Sequence, residues 1–121
     1  MTRRFADTAP IYMQIIETVK VEIVSGKYKT GDKLPGVRDL AVEYGVNPNT
    51  VQRALSELER EGLLQSERTS GRFVSIDEDK ITKLKKSLSE DYIKDLFEKM
   101  NQIGMSDSEI RKAVSKWGVK K

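Results

Sequence analysis

The sequence predicts a mainly α fold with one small β-hairpin, an α+β arrangement in which an N-terminal domain is followed by a two-helix appendage. Three observations carry this reading. Residues 34–62, LPGVRDLAVEYGVNPNTVQRALSELEREG, read as helix, tight turn, helix. Residues 63–76 read as two short strands around a turn at Thr69, Ser70 and Gly71. From Ile81 onward apolar residues recur every three or four positions, as one face of a long helix requires. The boundary is placed between residues 76 and 77, giving domains 1–76 and 77–121.

In the central pair, Val37, Leu40 and Ala41 fall at i, i+3 and i+4 and mark one apolar face. Gly45 breaks that helix, as a residue tolerant of positive φ does. Asn47 is a good N-cap and Pro48 follows at the first helical position, where its missing N–H costs nothing. The second helix turns Val51, Ala54, Leu55 and Leu58 inward, and Gly62 ends it. At 100° per residue, Asn49, Gln52, Arg53, Ser56 and Arg60 share the opposite face. Amide and guanidinium groups near a helix N-terminus match adenine and guanine edges in the major groove. A helix presenting them, preceded by a helix across the backbone, is the helix-turn-helix mode.

Upstream, residues 8–25 are expected to form the first helix, starting at Thr8 or Ala9 with Pro10 at its first helical position. Ile11, Ile15, Val19 and Ile23 repeat every four residues and face a core, with Tyr12 assigned to packing. Residues 1–7, with Arg3 and Arg4, form a basic arm before it. Tyr28 and Leu34 are expected to plug the core along the connector at 27–34, and Lys33 and Leu34 to add a very short strand. Arg38 lies in the first turn of the next helix and faces solvent, where the alternative to a DNA contact is a bridge to Asp39 or Glu43. In the hairpin, Arg68 and Arg72 flank the expected turn. A glycine-tipped hairpin can lay its backbone close to a groove, and its arginines can clamp phosphates.

The appendage opens with acids at Asp77, Glu78 and Asp79, which suit a helix N-terminus. Ile81, Leu84, Leu88, Tyr92, Leu96, Met100 and Ile103 then form one stripe, on a helix about 39 Å long if it runs to Ile103. Ser106 and Glu109 are spaced as a capping box for a last helix whose inner face is Ile110, Val114 and Trp117. One small domain offers too little apolar surface for both stripes. They are therefore expected to dimerise the chain rather than fold back on it.

Composition excludes several classes. The 121 residues suit one small domain with an appendage. They contain no Cys and no His, which excludes disulfides, Cys/His zinc sites and His-based triads, so no enzyme and no cofactor is expected. No apolar run of transmembrane length and no signal-peptide core is visible, so a cytoplasmic location without a membrane partner is expected. Net charge is +3, yet residues 1–76 hold 11 Lys/Arg and 10 Asp/Glu. DNA binding must therefore rest on where the cations sit.

Five segments, PIYMQI at 10–15, GDKLPGVR at 31–38, LA at 40–41, VNPNTV at 46–51 and EREG at 59–62, resemble in order and spacing the winged helix-turn-helix domain of GntR-family bacterial transcription regulators. The match covers about residues 10–74, and the remainder resembles the short helical segment of the YtrA-type branch. The resemblance implies a winged helix-turn-helix contacting double-stranded DNA through Arg38, Asn47, Pro48, Asn49, Thr50, Gln52 and Arg53, and through Arg68, Thr69, Gly71 and Arg72 of the wing. It implies a homodimer built on Leu84, Leu88, Tyr92, Leu96, Met100, Ile110, Val114 and Trp117. It also implies a repressor of a small operon, transport-related and autoregulated, bound at a pseudo-palindromic operator. Two positions depart from the family pattern. Gly36 replaces the usual Ser, leaving a backbone N–H in place of a hydroxyl, and Thr69 replaces the first wing glycine while Arg72 adds charge. The alternative is a winged-helix module that binds protein or RNA, which Asn49, Gln52 and Arg53 argue against. No small-molecule effector is identified.

Overall fold

The computed structural model describes residues 9–120, the last by its backbone alone. The basic arm with Arg3 and Arg4, the candidate helix start at Thr8 and the terminal Lys121 lie outside the described residues. The order is α1 (Ile11–Val24), α2 (Val37–Tyr44), α3 (Pro48–Arg60), β1 (Leu64–Glu67), β2 (Gly71–Val74), α4 (Glu78–Gln102) and α5 (Asp107–Lys120). This is the expected α+β winged helix-turn-helix with a helical appendage. The chain divides into two compact units inside α4, after Leu84.

In the first unit α3 lies against α1, α2 and β1. Ile15, Val19 and Ile23 of α1 meet a core completed by Leu40, Tyr44, Val51, Leu55, Leu58, Leu64 and Val74, all buried. Burial at this depth stabilises by roughly 1.5–3 kcal/mol per large aliphatic side chain. α1 begins one residue later than its sequence suggests. Pro10, at φ −55° and ψ 140°, is the last extended residue, and its carbonyl accepts from Met13 and Gln14 N–H. Ala9 has no side-chain acceptor to cap a turn that starts at Pro10, so the helix waits one residue.

The main surprise in the core is a carboxylate. Glu22 is 5% exposed, on the same helix as the apolar repeat. The Tyr44 hydroxyl donates to its Oε1 at 2.9 Å, and Lys27 Nζ donates to its Oε2 at 2.8 Å. Burial, with the Glu22 carboxylate beside it, pushes the Tyr44 phenol well above its ordinary range. The hydrogen bond to Glu22 holds Lys27 above its ordinary value against partial desolvation. A buried charge survives only when it is paired in this way.

Turn chemistry fixes the rest of the unit. Gly45 adopts φ 70° at the end of α2, where the lack of a Cβ avoids a clash and its N–H donates to the Ala41 and Val42 carbonyls. Asn47 caps α3 by accepting from Asn49 N–H at 2.7 Å, with Pro48 at the first position. β1 and β2 pair antiparallel from Leu64 opposite Val74 to Glu67 opposite Gly71. Lys33 pairs with Phe73 as a one-residue third strand, and Leu34 N–H donates to the Arg72 carbonyl at 2.9 Å. The connector is thus sewn to the hairpin as expected.

In the second unit, α5 starts on the expected capping box. Ser106 N–H donates to Glu109 Oε1 at 2.9 Å, and Glu109 N–H donates to Ser106 Oγ at 3.2 Å. These two bonds hold the Glu109 carboxyl below its ordinary range. Ile110 is fully buried and Leu88 is 9% exposed. Tyr92, Leu96, Val114 and Trp117, by contrast, are between 38% and 62% exposed in one copy of the chain.

Candidate nucleic-acid interface

The sequence of α3 sets its two faces apart. Val51, Ala54, Leu55 and Leu58 are buried, which leaves Asn49, Gln52, Arg53, Ser56 and Arg60 exposed. Asn47 and Pro48 are exposed at the helix start and Thr50 is half-buried. Gln52 Nε2 donates to Ser56 Oγ at 3.3 Å, a weak bond that leaves its amide oxygen to accept. Arg60 is turned onto Glu57, one turn earlier on the same helix.

Arg38 is exposed in the first turn of α2, and among the described residues it forms no ion pair. Its expected rival Glu43 is 3.4 Å from Lys27 Nζ instead. Arg38 and Pro48 line one shallow depression with Val42, Gly45 and Val46, so the starts of α2 and α3 share a surface. The segment from Lys33 to Val37 and the wing residues Thr69, Ser70, Gly71 and Arg72 line a second cleft. The start of α2 therefore sits beside the wing.

The wing departs from its sequence reading. Its tip is Arg68, Thr69 and Ser70, all exposed, and Gly71 opens β2 rather than closing the turn. Gly71 has φ +101°, a conformation that favours glycine, and a Cβ there would also press on the Lys33 side chain, 3.1 Å from its Cε. With the turn one residue earlier than expected, Arg72 faces Ser66 across the ladder and leaves the tip. Its Nε donates to Glu59 Oε1, and Ser66 Oγ donates to the same oxygen at 2.6 Å. Burial opposes ionisation of Glu59, but the Ser66 and Arg72 hydrogen bonds and the Arg72 charge outweigh it and hold the carboxyl below its ordinary range. Arg72 therefore clasps the wing to α3, and Arg68 is the exposed cation at the tip.

Sequence reasoning missed Glu59, Glu22 and the use of Tyr12. The Arg53 guanidinium carbon lies 3.7 Å from the centroid of the Tyr12 ring, a face contact between α3 and α1. Among the described residues no group of His, Cys, Asp and Glu could hold a metal ion, and no helix is long and apolar enough to cross a membrane.

Comparison with known proteins agrees with this geometry. Residues 11–74 match the family described as bacterial regulatory proteins, gntR family. The chain is 32% identical over 114 residues to the HTH-type transcriptional regulator YhcF of Bacillus subtilis (strain 168), covering 94% of each chain. It is 43% identical over 89 residues to the HTH-type transcriptional repressor YtrA of the same organism, covering 69% of this chain and 68% of that one. A solved GntR family transcriptional regulator from Listeria monocytogenes superposes with a TM-score of 0.83 at 36% identity, over 93% of this chain and 98% of that one. GntR regulators bind DNA and are not enzymes. With α3 capped and its polar row exposed, a wing beside it and the family pattern running from α1 through β2, this chain belongs to the GntR family of DNA-binding transcription regulators.

Proposed function

We propose that the chain acts in the cytoplasm as a homodimeric, sequence-specific repressor on a pseudo-palindromic operator. The observation that carries the reading is the exposed row Asn49, Gln52 and Arg53 at the capped start of α3, with Arg38 beside it. Amides and guanidinium groups there can read adenine and guanine edges while Arg38, Arg68 and backbone N–H groups hold phosphates. Repression is favoured by similarity to YtrA of Bacillus subtilis, described as a repressor. Control of a small, autoregulated, transport-related operon follows from the resemblance to that branch.

The dimer is assigned to residues 77–121. Leu84, Leu88 and Ile110 are buried within one copy, so they support the chain's own packing. The exposed Tyr92, Leu96, Val114 and Trp117, with half-buried Met100, are the apolar surface left for a partner copy. Two recognition helices on a two-fold axis should meet half-sites about one turn, roughly 34 Å, apart or a multiple of it.

Binding-site selection with the purified protein tests the reading, followed by gel shifts on full and half operators. The wild type should select an inverted repeat and sediment as a dimer. Leu96→Asp should give a folded monomer that has lost the gain from linked half-sites. Selection of no consensus would refute sequence-specific binding, and a wild-type monomer at micromolar concentration would refute the dimer.

A further inference from the structure

We propose that Tyr12 is a positioning residue for base recognition: its ring holds the Arg53 guanidinium in the orientation that reads a base edge. This rests on the reading of Arg53 as a base-contacting group. The cations around the wing and α3 meet different fates. Arg60 is bridged to Glu57 and Arg72 to Glu59, so their charges are compensated. Arg53 forms no ion pair among the described residues, and its guanidinium carbon sits 3.7 Å above the Tyr12 ring centroid.

The chemistry of that contact suits recognition. An aromatic ring engages the face of a guanidinium and leaves its in-plane N–H fork free to donate. A guanine presents two acceptors, O6 and N7, that take such a fork side by side. A carboxylate would have consumed the same donors and neutralised the charge. Tyr12 is itself fixed, half-buried in the first turn of α1, one turn before the fully buried Ile15. A long side chain held flat on a rigid helix loses less freedom when it meets its base. The contact uses the ring and not the hydroxyl, so Phe should substitute for Tyr.

The test uses the full chain and the selected operator with its single-base variants. Wild type, Tyr12→Phe, Tyr12→Leu, Arg53→Ala and Tyr12→Leu/Arg53→Ala are compared for affinity on each and on random duplex. Arg53→Ala should lose roughly five- to a hundredfold discrimination at one base pair. Tyr12→Leu should lose about two- to fivefold at that same base pair, the scale of an exposed cation–π contact, with random-duplex binding unchanged. Tyr12→Phe should match wild type, and the double variant should match Arg53→Ala. If Arg53→Ala relaxes discrimination but Tyr12→Leu keeps it, or weakens every sequence alike and additively, Tyr12 only packs and the proposal fails while base reading by Arg53 stands. If Arg53→Ala discriminates like wild type, base reading fails and positioning falls with it. Should Tyr12→Leu not fold, the ring-current shift of the Arg53 Nε–H in wild type decides; an unshifted resonance overturns the stack.

Discussion

Replacing Arg72 with Ala should destabilise the winged unit and leave the salt dependence of DNA binding intact. Sequence alone puts two arginines at the wing tip and so assigns both to phosphates. The structure gives Arg72 to Glu59, with Ser66 sharing the acceptor. The two charged side chains are 17% and 29% exposed, which is drier than a surface pair and wetter than a core pair. A hydrogen bond between charged groups contributes about 1.5–3 kcal/mol when protected, and an exposed pair about 0–1 kcal/mol. Arg72→Ala leaves Glu59 bonded to Ser66 and able to rehydrate, so a cost of about 1–2 kcal/mol is expected. For a unit of this size that lowers the melting temperature by roughly 5–15 °C.

The same pair shapes the acid limb of stability. The Glu59 carboxyl is held below its ordinary value of 4.5, so it ionises more readily folded than unfolded. Its contribution is therefore fully present above about pH 4.5 and is lost as pH falls through the depressed folded value. Wild type and Arg72→Ala should differ at neutral pH and converge in acid. Thermal melts across pH measure this, and filter binding across salt measures the slope. Arg68→Ala should flatten the slope by about one contact per wing while melting like wild type. If Arg72→Ala melted like wild type at pH 7 and flattened the slope as Arg68→Ala does, Arg72 would be leaving Glu59 for a phosphate and the clasp would be wrong.

Two further outcomes test other parts of the fold. Tyr44→Phe removes the donor to buried Glu22 and should cost about 1.5–3 kcal/mol in urea unfolding without changing operator selectivity; unchanged stability would mean that Glu22 is satisfied without it. Arg38→Ala should weaken operator binding, by about 1–3 kcal/mol if it reaches a base and with a shallower salt slope if it holds a phosphate; wild-type affinity and slope would remove Arg38 from the interface.

What the sequence made legible was whatever one element decides by itself. The inward face of α3 follows from a period of 3.6, and its outward row follows by subtraction. Asn47 before Pro48 and the Ser106/Glu109 reciprocal cap are local signatures, and both form as read. Pairings between elements were not legible. Glu22 looks like any polar residue on an amphipathic helix, because its partners stand at Lys27 and at Tyr44 on α2. Arg72 was misplaced because the turn was read as running through Gly71, whereas Gly71 spends its positive φ opening β2 against Lys33. A one-residue shift moves a strand side chain to the other face, and here it moved a cation from the tip to Glu59.

The same pairings explain how a nearly neutral winged domain can carry a DNA-binding surface. Residues 1–76 hold 11 basic and 10 acidic side chains, so net charge gives almost no field. Five of the acids, however, are committed on particular cations: Glu61 on Lys20, Glu22 and Glu43 on Lys27, Glu57 on Arg60, and Glu59 on Arg72. Among the described residues Lys29 and Lys33 form no ion pair, and neither do three exposed arginines, Arg38, Arg53 and Arg68. These arginines stand at the start of α2, on the outward face of α3 and at the wing tip, the three places from which this fold addresses a duplex. Close pairs largely cancel beyond a screening length of about 8 Å at physiological salt, while unpaired cations keep their local potential. Attraction for phosphate is thus set by which cations the acids leave alone, and a count of charges along the chain does not contain that information.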